Sequence, residues 1–423
     1  MKPVRAPFAV LVFAALSSAA PAQEGEKAVS LQEARRDFKT RLVRTERDKE
    51  PMPEPADPSF SLVRYRGPLG DMSAWLSRAP EEGKKFPAIV WISGGFPPGG
   101  MDESAWEPAP ADNDQSAKAY RLAGVVMMYP ALRGSGGNPG AQESFFGEVD
   151  DVLAAAEHLR GVPYVDPARI YVGGHSTGGT LALLVAAAAD PERIRGVFAF
   201  GPLGNPGDYG AESLTYDPAD EKENRLRSPL RFLGAIRTPT FVIEGSRGNF
   251  LPLLALKSAN KNAAVRILEV RNADHFQILS PLNRLIAKKI VSTADGAVEL
   301  KAQELQSAFD AHQVAQLEAR DLSTLAAVRR DGVDLAQPQP VRYYFFSEAR
   351  KPLEDAAAST KPEGFEPGEV KEHKDADGEV YYELIVRKRM PLRDLDKVFG
   401  ASAALSRIAR EKKVDFAGWE VGE

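Results

Sequence analysis

Ile170-Tyr171-Val172-Gly173-Gly174-His175-Ser176-Thr177-Gly178-Gly179 is the stretch whose reading decides the fold. Its first half is a short apolar run of strand type, and its second half opens an apolar helical stretch from Thr180 to Ala189. Between them lies a Gly-x-Ser-x-Gly pattern in a strand–turn–helix context, which gives that loose pattern its meaning. Such a turn holds its serine in a strained conformation, and the glycines around it let strand and helix approach closely. The Ser176 hydroxyl then stands at the carboxyl end of the sheet, where ligands bind in open α/β folds. The N–H of Thr177, at the start of the helix, is left free to serve as an oxyanion donor.

Outward from this turn the same alternation continues. Residues 61–66 and 72–77 flank Gly67-Pro68-Leu69-Gly70 and read as a hairpin. Apolar runs at Ala88–Ile92, Val125–Tyr129, Val197–Phe200, Thr240–Ile243 and Val265–Val270 read as further strands, with helical stretches such as Val149–Arg160 between them. Short apolar strands alternating with helices predict an α/β fold with a mainly parallel sheet covered on both faces, over residues 61–297.

The base of a serine site is sought among five histidines. Only His275 follows the last strand of this block; His158 lies within a helical stretch, His175 adjoins the serine, and His312 and His373 lie beyond the block. The third member ordinarily sits after the penultimate strand, here Glu244-Gly245-Ser246-Arg247-Gly248-Asn249, and no aspartate occurs there. Glu244 has the charge but stands at the strand end. Asn249 has the reach but cannot stabilise an imidazolium by charge. These two are ranked together, with Asp208 behind them. The second oxyanion donor is sought in Ser93-Gly94-Gly95-Phe96-Pro97, at the N–H of Gly95 or Phe96. Arg133 and Arg247 lie in loops at the same end of the sheet, as carboxylate binders or as solvated surface residues.

The 423 residues exceed one ordinary domain, and 43% hydrophobic content is enough for a sizeable core. The net charge of −5 argues against nucleic-acid binding, since no basic stripe is present. Cysteine is absent, which excludes disulfides, thiolate catalysis and zinc–cysteine sites. No metal or organic cofactor is called for by a serine site.

At the N-terminus, Lys2 and Arg5 precede the apolar run Phe8–Leu16, and Ala20-Pro21-Ala22 fits a small-x-small cleavage site. Residues 1–22 therefore read as a cleaved signal peptide and the chain as periplasmic or secreted, with no later membrane span. Residues 23–60 follow as an amphipathic helix, with Leu31, Ala34, Phe38 and Leu42 at helical spacing, and a Pro-rich linker through Pro51, Pro53, Pro55 and Pro58.

Residues 298–317 read as a helical linker. In 318–423, strands at 341–346, 365–372, 379–387 and 416–421 and helices at 348–360 and 392–412 give the order βαββαβ, a ferredoxin-like α+β domain.

The elbow at Ser176, the Tyr129-Pro130-Ala131-Leu132-Arg133-Gly134-Ser135-Gly136-Gly137 segment, Phe146–Asp151, Ser228-Pro229 and Thr238-Pro239-Thr240 resemble the prolyl oligopeptidase family of serine peptidases and its dienelactone-hydrolase-like relatives. The resemblance covers about 61–293 and implies an α/β-hydrolase fold, with Ser176 as nucleophile and His275 as base. Two positions depart from the family: Ser93-Gly94-Gly95 stands for its H-G-G, and the acid position lacks its aspartate. The substrate implied is a small ester or short peptide.

Arg330–Leu335, the aromatic strand through Phe346, Glu363-Gly364-Phe365 and Asp415–Glu420 resemble the ribonuclease E inhibitor RraB family. For the last block this suggests a protein-binding module or a packing appendage. The alternative for the whole chain is an inactive hydrolase scaffold that binds proteins through this domain. A secreted regulator of RNA turnover is disfavoured by the acidic balance and the export signal.

Overall fold

In the computed structural model, residues 29–97, 105–107, 109–110, 112–293 and 297–422 are described. The expected signal peptide, 1–22, and the start of the helix expected after it lie outside these residues. From the N-terminus the chain forms α1 (Leu31–Arg35), β1 (Phe60–Gly67), β2 (Gly70–Ser77), β3 (Phe86–Ile92), α2 (Ala119–Leu122), β4 (Val126–Pro130), α3 (Glu148–Gly161) and β5 (Val165–His175). It continues through α4 (Thr177–Ala188), β6 (Gly196–Phe200), α5 (Glu221–Arg227), β7 (Thr240–Gly245), α6 (Phe250–Ala259), β8 (Val265–Val270) and α7 (Leu279–Ser292).

The eight strands make one sheet in the order β1-β2-β4-β3-β5-β6-β7-β8. The β1–β2 hairpin and the β2–β4 pairing are antiparallel, and every pairing from β4 to β8 is parallel. Alternate residues of each strand enter opposite cores, as the pleat requires. Ala88, Val90, Ile92, Val126, Met128, Val197 and Ala199 pack with α3 and α4 on one face. Ile89, Trp91, Met127, Tyr129, Phe198 and Phe200 pack with α2 and α7 on the other. This two-sided burial is why the strands read as continuous apolar runs.

The helix expected to continue through Phe38 and Leu42 ends at Arg35. Tertiary bonds hold the following segment extended: Thr40 Oγ1 and Arg41 N–H donate to Glu223 (2.9 and 2.6 Å), and Val43 N–H donates to Thr215 O (2.8 Å). Phe38 still packs against the core, from outside the helix.

Beyond α7 come α8 (Ala302–Arg330), β9 (Pro338–Ser347), α9 (Arg350–Thr360), β10 (Glu366–Pro367), β11 (Lys371–Lys374), β12 (Val380–Pro391), α10 (Leu395–Lys412) and β13 (Asp415–Val421). The second sheet runs β10-β12-β9-β13 with β11 also on β12, and all its pairings are antiparallel. This is the ferredoxin-like arrangement of a βαββαβ chain. The expected strand 365–372 is split in two at Pro367, which has no N–H to give to a ladder. Gly368 resumes the pairing by donating to Ile385 O (2.8 Å).

One helix joins the two bodies. Leu305 and Phe309 of α8 are buried in the core of the larger one, whereas Leu325 and Val328 belong to that of the smaller. No helix among the described residues is long and apolar enough to cross a membrane.

Candidate active site

Strand β5 ends at His175, and Ser176 turns the chain into α4 with φ 55° and ψ −116°. A non-glycine residue in this region is strained and persists only where its surroundings fix it. Here the Ser176 N–H donates to Phe200 O (2.8 Å) and its carbonyl accepts from Thr180 N (2.9 Å). Three glycines allow the close approach. A Cβ at Gly174 would sit 2.4 Å from Gly178 O, one at Gly178 2.1 Å from Ile92 O, and one at Gly179 2.3 Å from Phe200 O.

His275 lies in the turn after β8. Glu244, at the end of β7, is fully buried and accepts His275 Nδ1–H on Oε2 at 2.7 Å. An ionised carboxylate can only accept, so the proton sits on Nδ1 and leaves Nε2 as the basic nitrogen. The remaining bonds of Glu244 come from backbone: Gly245 N to Oε1 (2.6 Å) and Asn249 N to Oε2 (3.0 Å). Two more glycines leave room for this pair. A Cβ at Gly201 (φ 58°) would meet His275 Cε1 at 2.3 Å, and one at Gly248 would meet Glu244 Oε1 at 2.5 Å.

Of the three acid candidates, only Glu244 reaches the imidazole. The Asn249 side chain turns away and donates to Gly201 O (3.1 Å), so its contribution is the backbone bond to Glu244. Asp208 accepts instead from Asn205 Nδ2 (3.0 Å), and burial raises its carboxyl above the ordinary range.

Thr177 occupies the first turn of α4, where backbone N–H groups have no intrahelical acceptor. Its hydroxyl donates to Gly95 O (2.5 Å), tying the 93–96 loop to the elbow. Gly95 has φ 100°, and a Cβ there would meet nothing within 4 Å among the described residues. Phe96 follows and meets Tyr209 edge-on at 5.4 Å between ring centres. Tyr209 also stacks on Phe145 (5.7 Å), and its hydroxyl is 2.8 Å from Thr180 Oγ1 on α4. Phe96, Phe145 and Tyr209 thus form one aromatic cluster; residues 98–104, 108 and 111 lie outside the described ones.

His175 is buried behind the site. Its Nε2–H donates to the carbonyl of His275 (3.0 Å), and its Nδ1 is 3.0 Å from the Gln115 side-chain amide. Burial first, and the neighbouring imidazole second, hold it well below the ordinary histidine range, so it is neutral. Sequence reasoning passed over this support, along with the space left by Gly201 and Gly248. The elbow motif gave no sign of where the ring of His175 points.

The expectation for Arg133 is corrected. It is neither a solvated residue nor aimed at a substrate: it is buried, and it pairs with Asp151 and Glu143 at 2.9 Å each. Its guanidinium also occupies the place where a Cβ of Gly147 would lie, which anchors the loop before α3. Arg247 is exposed and donates to Gln277 Oε1 (3.2 Å). Among the described residues no group of histidine and acidic side chains is arranged to hold a metal ion.

A strained serine elbow at the carboxyl end of a parallel sheet, with a carboxylate-bound histidine in the last loop, defines a site of α/β-hydrolase type. Residues 89–329 match the family described as alpha/beta hydrolase family, and residues 318–421 match regulator of ribonuclease activity B. The chain belongs to the alpha/beta hydrolase family and carries a C-terminal domain of the regulator of ribonuclease activity B family.

Among curated relatives it is similar to the uncharacterized peptidase YuxL of Bacillus subtilis, 26% identical over 145 residues, which cover 30% of this chain and 22% of that protein. The chain therefore spans about a fifth of that relative's length. Its C-terminal domain is similar to regulator of ribonuclease activity B of Pseudoalteromonas atlantica, 31% identical over 98 residues, covering 23% of this chain and 81% of that protein. Similar solved structures include the acylaminoacyl peptidase of Pyrococcus horikoshii (TM-score 0.46, 16% identical, 58% of this chain and 43% of that one). The esterase of Pyrobaculum calidifontis is another (TM-score 0.42, 19% identical, 55% of this chain and 85% of that one).

Proposed function

We propose that this chain is an exported serine hydrolase that cleaves a small carboxylic ester or a short peptide. The observation that carries the reading is the 2.7 Å bond from His275 Nδ1 to the buried Glu244 carboxylate, together with the positive φ at which Ser176 is held. In this reading Ser176 Oγ attacks the substrate carbonyl carbon as its proton passes to His275 Nε2. Glu244 fixes the tautomer and stabilises the imidazolium by charge. The Thr177 N–H, with one from the Gly95 loop, holds the oxyanion, each donor contributing on the order of 10²–10³ in rate. Collapse expels the leaving alkoxide or amine, which takes the proton from His275, and water then releases the acyl group by the same steps.

The alternative of an inactive scaffold leans on the missing aspartate after β7; the contact between Glu244 and His275 supports the active reading instead. The test is labelling of the full chain by a fluorophosphonate and turnover of p-nitrophenyl esters, with Ser176→Ala as the control. Loss of both in the variant is expected, and an inert wild type sinks the reading. Export is tested by sequencing the N-terminus of protein recovered outside the cytoplasm of an expressing bacterium. A start at Gln23 is expected, and an intact Met1 in that fraction counts against cleavage. The C-terminal domain is read as a protein-binding module on its family membership. Partners captured equally by the full chain and by one ending at Arg330 would refute that.

A further inference from the structure

The loop carrying His275 is held from two sides. From within the large domain, Ser246 Oγ accepts Asn272 N–H (2.9 Å), Arg247 N–H donates to Ala273 O (2.9 Å), and His175 binds the His275 carbonyl. The other hold comes from α8. Gln306, nearly buried on its second turn, closes a two-point clamp on the backbone of Arg271. Its Oε1 accepts Arg271 N–H at 2.8 Å, and its Nε2 donates to Arg271 O at 3.3 Å and to Asp310 Oδ1 at 3.0 Å.

Arg271 begins the turn that ends at His275. The next residue, Asn272, sits at φ 63°, a left-handed turn conformation that asparagine tolerates better than other side-chain-bearing residues but that still competes with ordinary backbone. A free Arg271 lets this turn relax toward ordinary backbone, and the imidazole four residues on shifts relative to Glu244. The start of α8 is itself fixed to the large domain by Leu305 and Phe309 in its core and by the Lys289–Glu304 ion pair at 2.9 Å. A 29-residue helix is about 43 Å long at 1.5 Å per residue, and this one runs unbroken into the small domain.

We infer that Gln306 is a positioning residue for His275, so that the geometry of the active site depends on the helix shared with the C-terminal domain. This rests on the serine-hydrolase reading for its consequence, though not for the clamp itself. A group that holds a base in place acts on the chemical step more than on substrate capture. The test compares the full-length wild type with Gln306→Ala and with Gln306→Met, which keeps the side-chain volume.

In both variants kcat for p-nitrophenyl acetate is expected to fall about tenfold with KM within about twofold. Amide exchange over residues 271–276 should accelerate while β5 and α4 keep their protection. An unchanged kcat, or a rise in KM alone, overturns the inference. A wild type that turns over no ester and takes no fluorophosphonate label removes the hydrolase reading by itself. Exchange then decides the clamp: faster exchange at 271–276 supports it and unchanged exchange overturns it. If Gln306→Ala does not fold, Gln306→Met carries both readouts.

Discussion

At the scale of single residues, the acid was the point the sequence left open, and the reason is geometric. Glu244 stands at the end of β7, ahead of the loop in which the acid was sought. The extra methylene of glutamate, with side-chain-free Gly201 and Gly248 on either side, brings Oε2 to His275. Reach of this kind depends on neighbours distant in the chain, so spacing alone ranked Glu244 level with Asn249. Replacing the carboxylate by an isosteric amide tests its charge. Glu244→Gln is expected to lower kcat by on the order of 10³–10⁴, as removing charge and tautomer control does in serine triads. Asn249→Ala keeps the backbone N–H that bonds Glu244 and is expected to cost far less, while Asp208→Asn should leave kcat unchanged. Steady-state ester turnover of the three variants checks this order, and an Asp208 effect larger than that of Glu244 would refute it. Arg133 marks the opposite limit: its loop position was legible, but not that Asp151 and Glu143 draw it into the interior.

At the scale of elements, the strands of the large sheet were legible because both faces are buried, and double burial writes itself as a short apolar run. The helix after residue 30 was not. Its apolar spacing was genuine, but bonds from Glu223 and Thr215 to residues 40–43 outweigh the propensity of a marginal helix. The start of α3 carries a feature with a measurable consequence. Glu148 is buried, with Oε1 accepting Glu143 N–H (2.6 Å), and burial pushes its carboxyl up to about 7, partly opposed by that bond and by Arg133. A carboxyl raised above its unfolded value stabilises the folded chain while protonated. That contribution is complete below the unfolded value of 4.5 and is lost as pH rises through about 7. At 1.36 kcal/mol per unit the full loss is about 3 kcal/mol. Glu148→Gln is always neutral and should flatten the stability profile across this window, with its largest advantage over wild type above pH 7. Urea midpoints of both proteins at half-unit steps from pH 5 to 8 measure this, and parallel profiles would exclude it.

At the scale of the whole molecule, the order of two domains was legible from a change of pattern: alternating strands and helices, then a long charged helix, then βαββαβ. The sharing of that helix was not, because the sequence of α8 looks uniform while its two ends are buried in different cores. Its middle, residues 310–320, contains no buried side chain. In the small domain the helix is fastened by Asp321, which is buried and accepts Ser402 Oγ–H (2.9 Å) and Trp419 Nε1–H (2.8 Å) on the same oxygen. Burial raises its carboxyl above the ordinary range, with the two donors opposing this, and its other oxygen has no hydrogen-bond partner among the described residues. One oxygen, Oδ1, therefore carries the fastening. Asp321→Asn keeps an acceptor for both donors and removes a desolvated carboxyl, so its stability should equal or exceed that of wild type. Asp321→Leu strands a serine hydroxyl and an indole N–H, and at roughly 1–3 kcal/mol for each unsatisfied buried group it should cost about 2–6 kcal/mol. The loss should fall on the small domain, because Leu305 and Phe309 anchor the other end of α8, about 22 Å away along the axis. Amide exchange separates the two bodies: α10 and β13 should lose protection in Asp321→Leu while β5 and α4 keep theirs. Equal loss in both would mean that α8 welds the domains into one cooperative unit, with stability crossing from one core to the other along a single helix.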